Sequence, residues 1–226
     1  FFHYLLVDAL MVGGFDNDLD GVIEENLPNF KGKLDWLGLQ YYFRAGVTGN
    51  GGLLPVLKLT PCFSTFDFGS CVEPIDRSYC VPTMGYEHYA PGIQTVIAAF
   101  GARFPGLPLV ISEGGIGTEV GERRAENIVR ALEHIHAARR SGVDVRGYYH
   151  WSLYDNFEWA EGFGPRFGLY SVDYATYERT PTLGADVLAQ ITEGRKLSRA
   201  LRSKHGGKGP MTTEGSPPED GACQKY

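Results

Sequence analysis

Apolar and polar positions along this chain alternate with two different periods, and the two kinds of segment take turns. Residues 1–12, FFHYLLVDALMV, read as a helix that stops at the pair Gly13-Gly14, a sequence suited to closing a helix. KLDWLGLQYYF (33–43) reads as a strand whose far end crowds polar and aromatic residues. In PGIQTVIAAFGARF (91–104), Ile93, Val96, Ile97 and Phe100 recur at helical spacing behind Pro91. A short buried strand follows at 108–112. The clearest helix covers 122–141, with Ile128, Leu132 and Ile135 as its stripe and Gly142 as its stop. VRGYYHWSL (145–153) predicts a third strand and RFGLYSVDY (166–174) a short extended piece. Pro181 is placed to open a last helix with Leu183, Val187, Leu188 and Ile191 inward.

Two stretches lack either period. Residues 44–90 are rich in Gly, Pro and Ser, long for a structureless loop, which points to a functional loop or to small elements. From about Ser203 the chain carries few apolar residues and many Gly and Pro. It cannot bury enough surface to offset the entropy of ordering, so 1–202 is expected as one folded part and 203–226 as a disordered tail. Strands alternating with helices imply parallel pairing through right-handed crossovers. An open doubly wound sheet and a closed barrel both satisfy that order. No G-x-G-x-x-G follows any strand, which weakens the dinucleotide-binding version.

Composition narrows the classes. The 226 residues are 43% apolar and 21% charged, with a formal net charge of −6. That is ordinary globular composition, and no basic stripe marks a nucleic-acid footprint. No apolar run reaches membrane-spanning length, so neither nucleic acid nor membrane is expected as a partner. The chain begins with Phe1 and reads as a piece of a longer protein. Cys62, Cys71, Cys80 and Cys223 form no C-x-x-C pair, so no zinc site is expected; whether any of the first three pair is left open by their spacing. DNDLDG (16–21) imitates the front of a calcium loop, but its twelfth position is Leu27 where a bidentate Glu is required. A solvated acidic turn is the better reading, and no metal or other cofactor is expected.

The chemistry gathers where the strands end. The first ends in Gln40, Tyr41 and Tyr42; the second ends in Glu113, followed by two glycines; the third runs into His150, Trp151 and then SLYDNFEWAEGFGPRFG. A core strand gains nothing from a terminal carboxylate, whereas the carboxyl end of parallel strands is where α/β barrels carry chemistry. Asp155, Asn156, Glu158 and Trp159 set polar groups beside an indole within five residues. Such a mixture suits a sugar: an aromatic face stacks on the C–H face of a pyranose while carboxylates accept from its hydroxyls.

ISEGG resembles the I-T-E-N-G signature of glycoside hydrolase family 1, the β-glucosidase family. WSLYDNFEWAEGFGPRFGLYSVDY is similar to that family's last-strand block nearly residue for residue, and LDWLGLQYYF resembles its D-F-x-G-x-N-Y-Y strand. The resemblance implies an α/β fold, a partial (β/α)8 TIM barrel comprising the C-terminal strands six to eight with their helices. It implies retaining hydrolysis of terminal β-linked sugars such as β-glucosides. Position by position, Glu113 matches the nucleophile and Tyr42 the tyrosine that hydrogen-bonds it. Gln40 stands where the family has Asn. Trp151 matches the platform under the sugar, Glu158 with Trp159 beside it the grip on the sugar's outer hydroxyls, and Phe167 an aromatic wall.

The departures are informative. The family's acid/base glutamate sits in a T-x-N-E-P block on an earlier strand, and no N-E-P occurs here. The segment alone is therefore expected to be inactive and marginally stable. Gly114 replaces the usual Asn after the nucleophile. FEWAEGFGPRFG has neither the Ser nor the Lys that marks relatives acting on 6-phospho-sugars, so a non-phosphorylated carbohydrate is the expected small-molecule partner. The alternative is a non-catalytic carbohydrate-binding relative of the same fold. An unrelated α/β-hydrolase would need a G-x-S-x-G elbow, and none is present.

Overall fold

The computed structural model describes residues 2–18, 20–48, 60–62, 80–81 and 83–212. In chain order these form α1 (Phe2–Val12), β1 (Gly14–Phe15), β2 (Glu25–Asn26), β3 (Leu37–Gln40), β4 (Gly46–Thr48), β5 (Thr60–Cys62), β6 (Cys80–Val81) and β7 (Tyr86–Glu87). There follow α2 (Pro91–Arg103), β8 (Leu109–Glu113), α3 (Gly121–Arg140), β9 (Val145–Tyr148), β10 (Tyr170–Val172), β11 (Arg179–Pro181), α4 (Leu183–Gly194) and α5 (Arg199–His205).

The organising sheet has three parallel strands in the order β3-β8-β9. Helices α2 and α3 cross between them, as parallel pairing requires. One face of the sheet is covered. Leu39, Leu109, Ile111 and Val145 point into a core with Val7 of α1, Ile93, Ile97 and Phe100 of α2, and Ile135 of α3. Completely burying aliphatic side chains of this kind is worth roughly 1.5–3 kcal/mol each. A second core lies between α3 and α4, where Ile128 and Val129 meet Val187. The other face of the sheet is open. Gly38 and Gln40 alternate with buried Leu39 and are exposed there, and nearby Trp36 and Tyr149 are 54% and 66% exposed. Among the described residues the three strands do not close a barrel.

Several elements are shorter or differently placed than the sequence pattern predicts. The strand expected over 33–43 pairs only at 37–40, and that over 145–153 only at 145–148. Their continuations leave the ladder to build the rim. Of the extended piece at 166–174, only 170–172 is a strand, β10, which pairs antiparallel with β11 beyond it. Thr182, not Pro181, is the N-cap of α4, because Pro181 still pairs with Tyr170 in that hairpin. The tail boundary also moves. Residues 203–205 complete α5, Met211 is buried, and Thr212 gives its backbone N–H (2.9 Å) and hydroxyl (2.7 Å) to Glu126 on α3. A polar, Gly-rich strand of chain can be ordered in this way when a helix supplies the acceptors. Residues 213–226 of the expected tail lie outside the described residues. So does most of 44–90; within it β4–β5 and β6–β7 are the small elements that the missing periodicity hid. Cys80 is in a disulfide.

A group of polar side chains is buried behind the first strand end. His88 is 3% exposed, its Nδ1 lies 3.4 Å from the Tyr42 carbonyl, and both ring nitrogens lie within 3.4 Å of the Asn127 amide nitrogen. Burial holds its pKa down to about 4, helped by the charges of Arg123 and Arg130. In the unfolded chain the ring titrates near 6.5. The unfolded state therefore binds the proton first as pH falls, and the folded state loses stability between about pH 6.5 and pH 4. The loss is on the order of 3 kcal/mol. Urea unfolding across that range should show it, and His88→Asn should reduce the dependence without abolishing it, because burial also holds the pKa of His150 down to about 3; an unchanged slope in the variant would assign it elsewhere.

Candidate active site

Glu113 ends β8 and is followed by Gly114 and Gly115. Pairing between β3 and β8 runs Leu37↔Leu109, Gly38↔Val110 and Leu39↔Ile111, then skips Ser112 and joins Gln40 to Glu113. Strict alternation would put Glu113 on the Ile111 side, in the core. The extra residue re-phases the strand, so Glu113 shares a face with Gln40 on the open side. The Tyr41 amide then donates to the Glu113 carbonyl at 3.0 Å, which fixes the start of the next turn. At Gly115 a Cβ would lie 2.0 Å from the Trp151 carbonyl oxygen. Only glycine lets the two strand ends come this close. The Trp151 amide donates to the Gly114 carbonyl at 2.9 Å, and the Trp151–Ser152 peptide is cis.

The tyrosine and the carboxylate meet directly. Tyr42 Oη donates to Glu113 Oε2 at 2.7 Å. Burial raises the Tyr42 pKa well above the usual phenol range, and the hydrogen bond to Glu113 and that residue's charge raise it further. The phenol therefore stays protonated at any physiological pH and serves as a fixed donor. The Glu158 charge contributes to the shift at Tyr42 and again at Tyr86, which sets Glu158 electrostatically within reach of the same rim. Phe167, 3% exposed, packs edge-on against the Tyr42 ring with centroids 6.1 Å apart.

Not every residue of the last block faces this place. Asp155 and Asn156 were expected to point at a ligand; the structure turns both inward. Asp155 is 5% exposed, takes the amides of Gly168 (2.8 Å) and Val172 (3.1 Å) and pairs with Arg166 at 3.3 Å. Asn156 donates to Ser152 Oγ at 3.0 Å and to the Tyr154 carbonyl at 3.2 Å. Their polar atoms bind the block to itself. Trp159, the neighbour of Glu158 in sequence, is 80% exposed. Gln40 is exposed on the open face, Trp151 is half-buried beside Gly114, and Glu158 is half-buried. Removing Asp155 leaves two amides and a guanidinium facing an apolar group. Asp155→Ala should cost about 3 kcal/mol or more of stability, read as a lower urea midpoint.

Supporting residues without a sequence signal sit on the first turn of α3. Arg123 donates to the Cys80 carbonyl, and Arg124, 1% exposed, donates to the carbonyls of Thr118 and Arg166. Arg124 thereby ties the loop after Glu113 to the segment carrying Phe167. The adjacency of "GERR" to the Glu113 strand was visible, but an arginine pair reads as a solvated face until loop carbonyls are known to converge on it.

DNDLDG does assemble: one carboxylate oxygen from each of Asp16, Asp18, Asp20 and Glu24 lies within 4.8 Å of the others. Asp16, Asp18, Asp20 and Glu24 each accept neighbouring backbone amides.

The profile described as Glycosyl hydrolase family 1 matches residues 14–196 of this chain. The chain belongs to glycosyl hydrolase family 1. Among the family's members, a β-galactosidase of Sulfolobus acidocaldarius is 34% identical over 198 residues, which is 86% of this chain and 38% of that protein. A rice (Oryza sativa subsp. japonica) protein called probable inactive beta-glucosidase 14 is 29% identical over 223 residues, 88% of this chain and 42% of that one. The solved β-glycosidase from Pyrococcus horikoshii superposes with a TM-score of 0.72 at 32% identity, covering 92% of this chain and 44% of that chain. This family 1 chain thus spans about two-fifths of the length of the relatives it matches. Its three-stranded arc is the fold expected of part of a (β/α)8 barrel.

Proposed function

We propose that residues 1–226 supply the nucleophile side of a retaining β-glycosidase acting on non-phosphorylated β-linked sugars. The observation that carries this reading is the 2.7 Å bond from Tyr42 to a strand-end carboxylate, Glu113, on the rim that also holds Trp151. Glu113 attacks the anomeric carbon as the bond to the leaving oxygen breaks, giving a glycosyl ester. A water then attacks the same carbon, the ester bond breaks, and Glu113 is released as a carboxylate. Protonation of the leaving oxygen and deprotonation of that water need a second carboxyl group, which retaining enzymes place about 5–5.5 Å from the first. That group comes from outside this stretch of sequence. Tyr42 keeps the carboxylate aimed and gives up its share of the hydrogen bond as the ester forms. Trp151 and Phe167 form apolar walls, Gln40 offers an amide, and Glu158 accepts from sugar hydroxyls. A carboxylate in that position disfavours a phosphate on the sugar by charge.

The experiment is the stereochemistry of the first product. With residues 1–226 in a complete barrel, proton NMR of aryl β-glucoside or β-galactoside hydrolysis should show the β-anomer first and the α-anomer only by later mutarotation. Initial release of the α-anomer would mean inversion and would remove Glu113 from the role of nucleophile. The name of the rice relative favours a second reading, a carbohydrate-binding protein without turnover. It predicts sugar binding with no anomer released.

A further inference from the structure

On the opposite side of α2 from the core, a cleft of about 570 Å³ runs between α2 and α3 and is roofed by residues that follow α5. Its size suits a small metabolite. No Asp or Glu lines it, whereas Arg130, His134, Lys208 and His88 do. We propose that this cleft is a second binding site, separate from the glycosidase rim, for a small oxyanion: a phosphate or a carboxylate group on a small molecule.

Arg130 carries the inference. It is 6% exposed, and its terminal nitrogens are committed to the carbonyls of Gly209 (2.8 Å) and Pro210 (3.3 Å). Its Nε is buried with no hydrogen-bond partner among the described residues. A buried, unpaired guanidinium donor is costly, and a fixed guanidinium with spare donors is the arrangement that recognises planar or tetrahedral oxyanions. The cleft also takes in the start of α2: Ala90, Pro91, Gln94 and Thr95 line it, and that first turn carries no acidic residue. The positive end of the helix dipole therefore faces the same space. His134 holds its Nδ1 2.9 Å from Gln94 Oε1. Burial and the charge of Lys208 lower its pKa, against the raising effect of Glu133. Glu133, the acid nearest by sequence, is already engaged by Arg202 at 2.7 Å and the Gly207 amide at 3.0 Å. The local field thus favours an arriving negative charge.

The test is isothermal titration of a complete barrel carrying residues 1–226 with inorganic phosphate and, separately, with acetate, at constant ionic strength set by chloride. Saturable binding with a Kd of about millimolar is expected for at least one of the two, and the stronger names the group. Arg130→Gln should weaken it about tenfold or more. Because Arg130 also holds the roof, the second variant is Ala98→Phe, on an exposed position of α2 that fills the cleft without removing a donor; it should weaken binding equally. Glu113→Gln should leave binding unchanged, which keeps this inference separate from the glycosidase reading. Absence of saturable binding of either anion, or equal binding in Ala98→Phe, overturns it.

Discussion

Glu113→Gln should lower kcat/KM for an aryl β-glucoside by about 10⁴-fold or more in a complete barrel carrying residues 1–226. The substitution keeps the shape of the side chain and leaves a carbonyl oxygen for Tyr42, so the 2.7 Å contact survives in altered form. What disappears is the anionic oxygen that forms the bond to the anomeric carbon. An amide is a far weaker nucleophile, and among the described residues Asp155 is no substitute, since it is buried in its own bonds. Folding should be nearly untouched, because Glu113 is half-buried on the open face of the sheet and contributes nothing to the apolar core. Near-equal melting temperatures with activity lost is the expected pair of results. Activity within tenfold of the parent would assign the chemistry to another residue.

The 226-residue chain by itself should hydrolyse the same substrate at least about 10⁴-fold more slowly than that complete barrel. Two losses combine. A positioned general acid contributes typically 10²–10⁴-fold, and this sequence has no N-E-P block to supply it. The sugar is also gripped from one side only, since the sheet is an arc whose inner face shows Trp36, Gln40 and Tyr149 to solvent. The outer edges of β3 and β9, unpaired among the described residues, make the isolated chain prone to pairing with other chains. Supplying the complementary five-unit portion of a family 1 relative should restore turnover and raise the unfolding midpoint together. Robust hydrolysis by the 226-residue chain alone would contradict the assignment of the missing acid.

The order of elements was legible in the sequence because α2, α3 and the three parallel strands each show a clean period over enough residues. Leu109 and Ile111 lie in the short strand that reads as buried, and both are core. The place of Glu113 was legible as well, but not the way it is reached. Periodicity assigns Glu113 to the core side; the skipped residue at Ser112 moves it outward, and no local pattern announces such an irregularity. The last block misled in the opposite sense. DNFEW concentrates polar groups, yet Asp155 and Asn156 bind backbone amides and neighbouring carbonyls, while Trp159 stands in solvent. A run of polar residues shows that hydrogen bonds will be made, not which of them face a ligand. The ordered stretch to 212 depends on distant groups of α3: Glu126 and Glu133 accept from Thr212 and Gly207, and Arg130 donates to the Gly209 and Pro210 carbonyls, which composition does not encode.

The most direct measurement is covalent trapping. A complete barrel containing residues 1–226 is incubated with a dinitrophenyl 2-deoxy-2-fluoro-β-glycoside, digested, and sequenced by mass spectrometry. A single added fluorosugar on the peptide 109–117, at Glu113, is the predicted result. A label on any other carboxylate, or rapid turnover with no label at all, would contradict it.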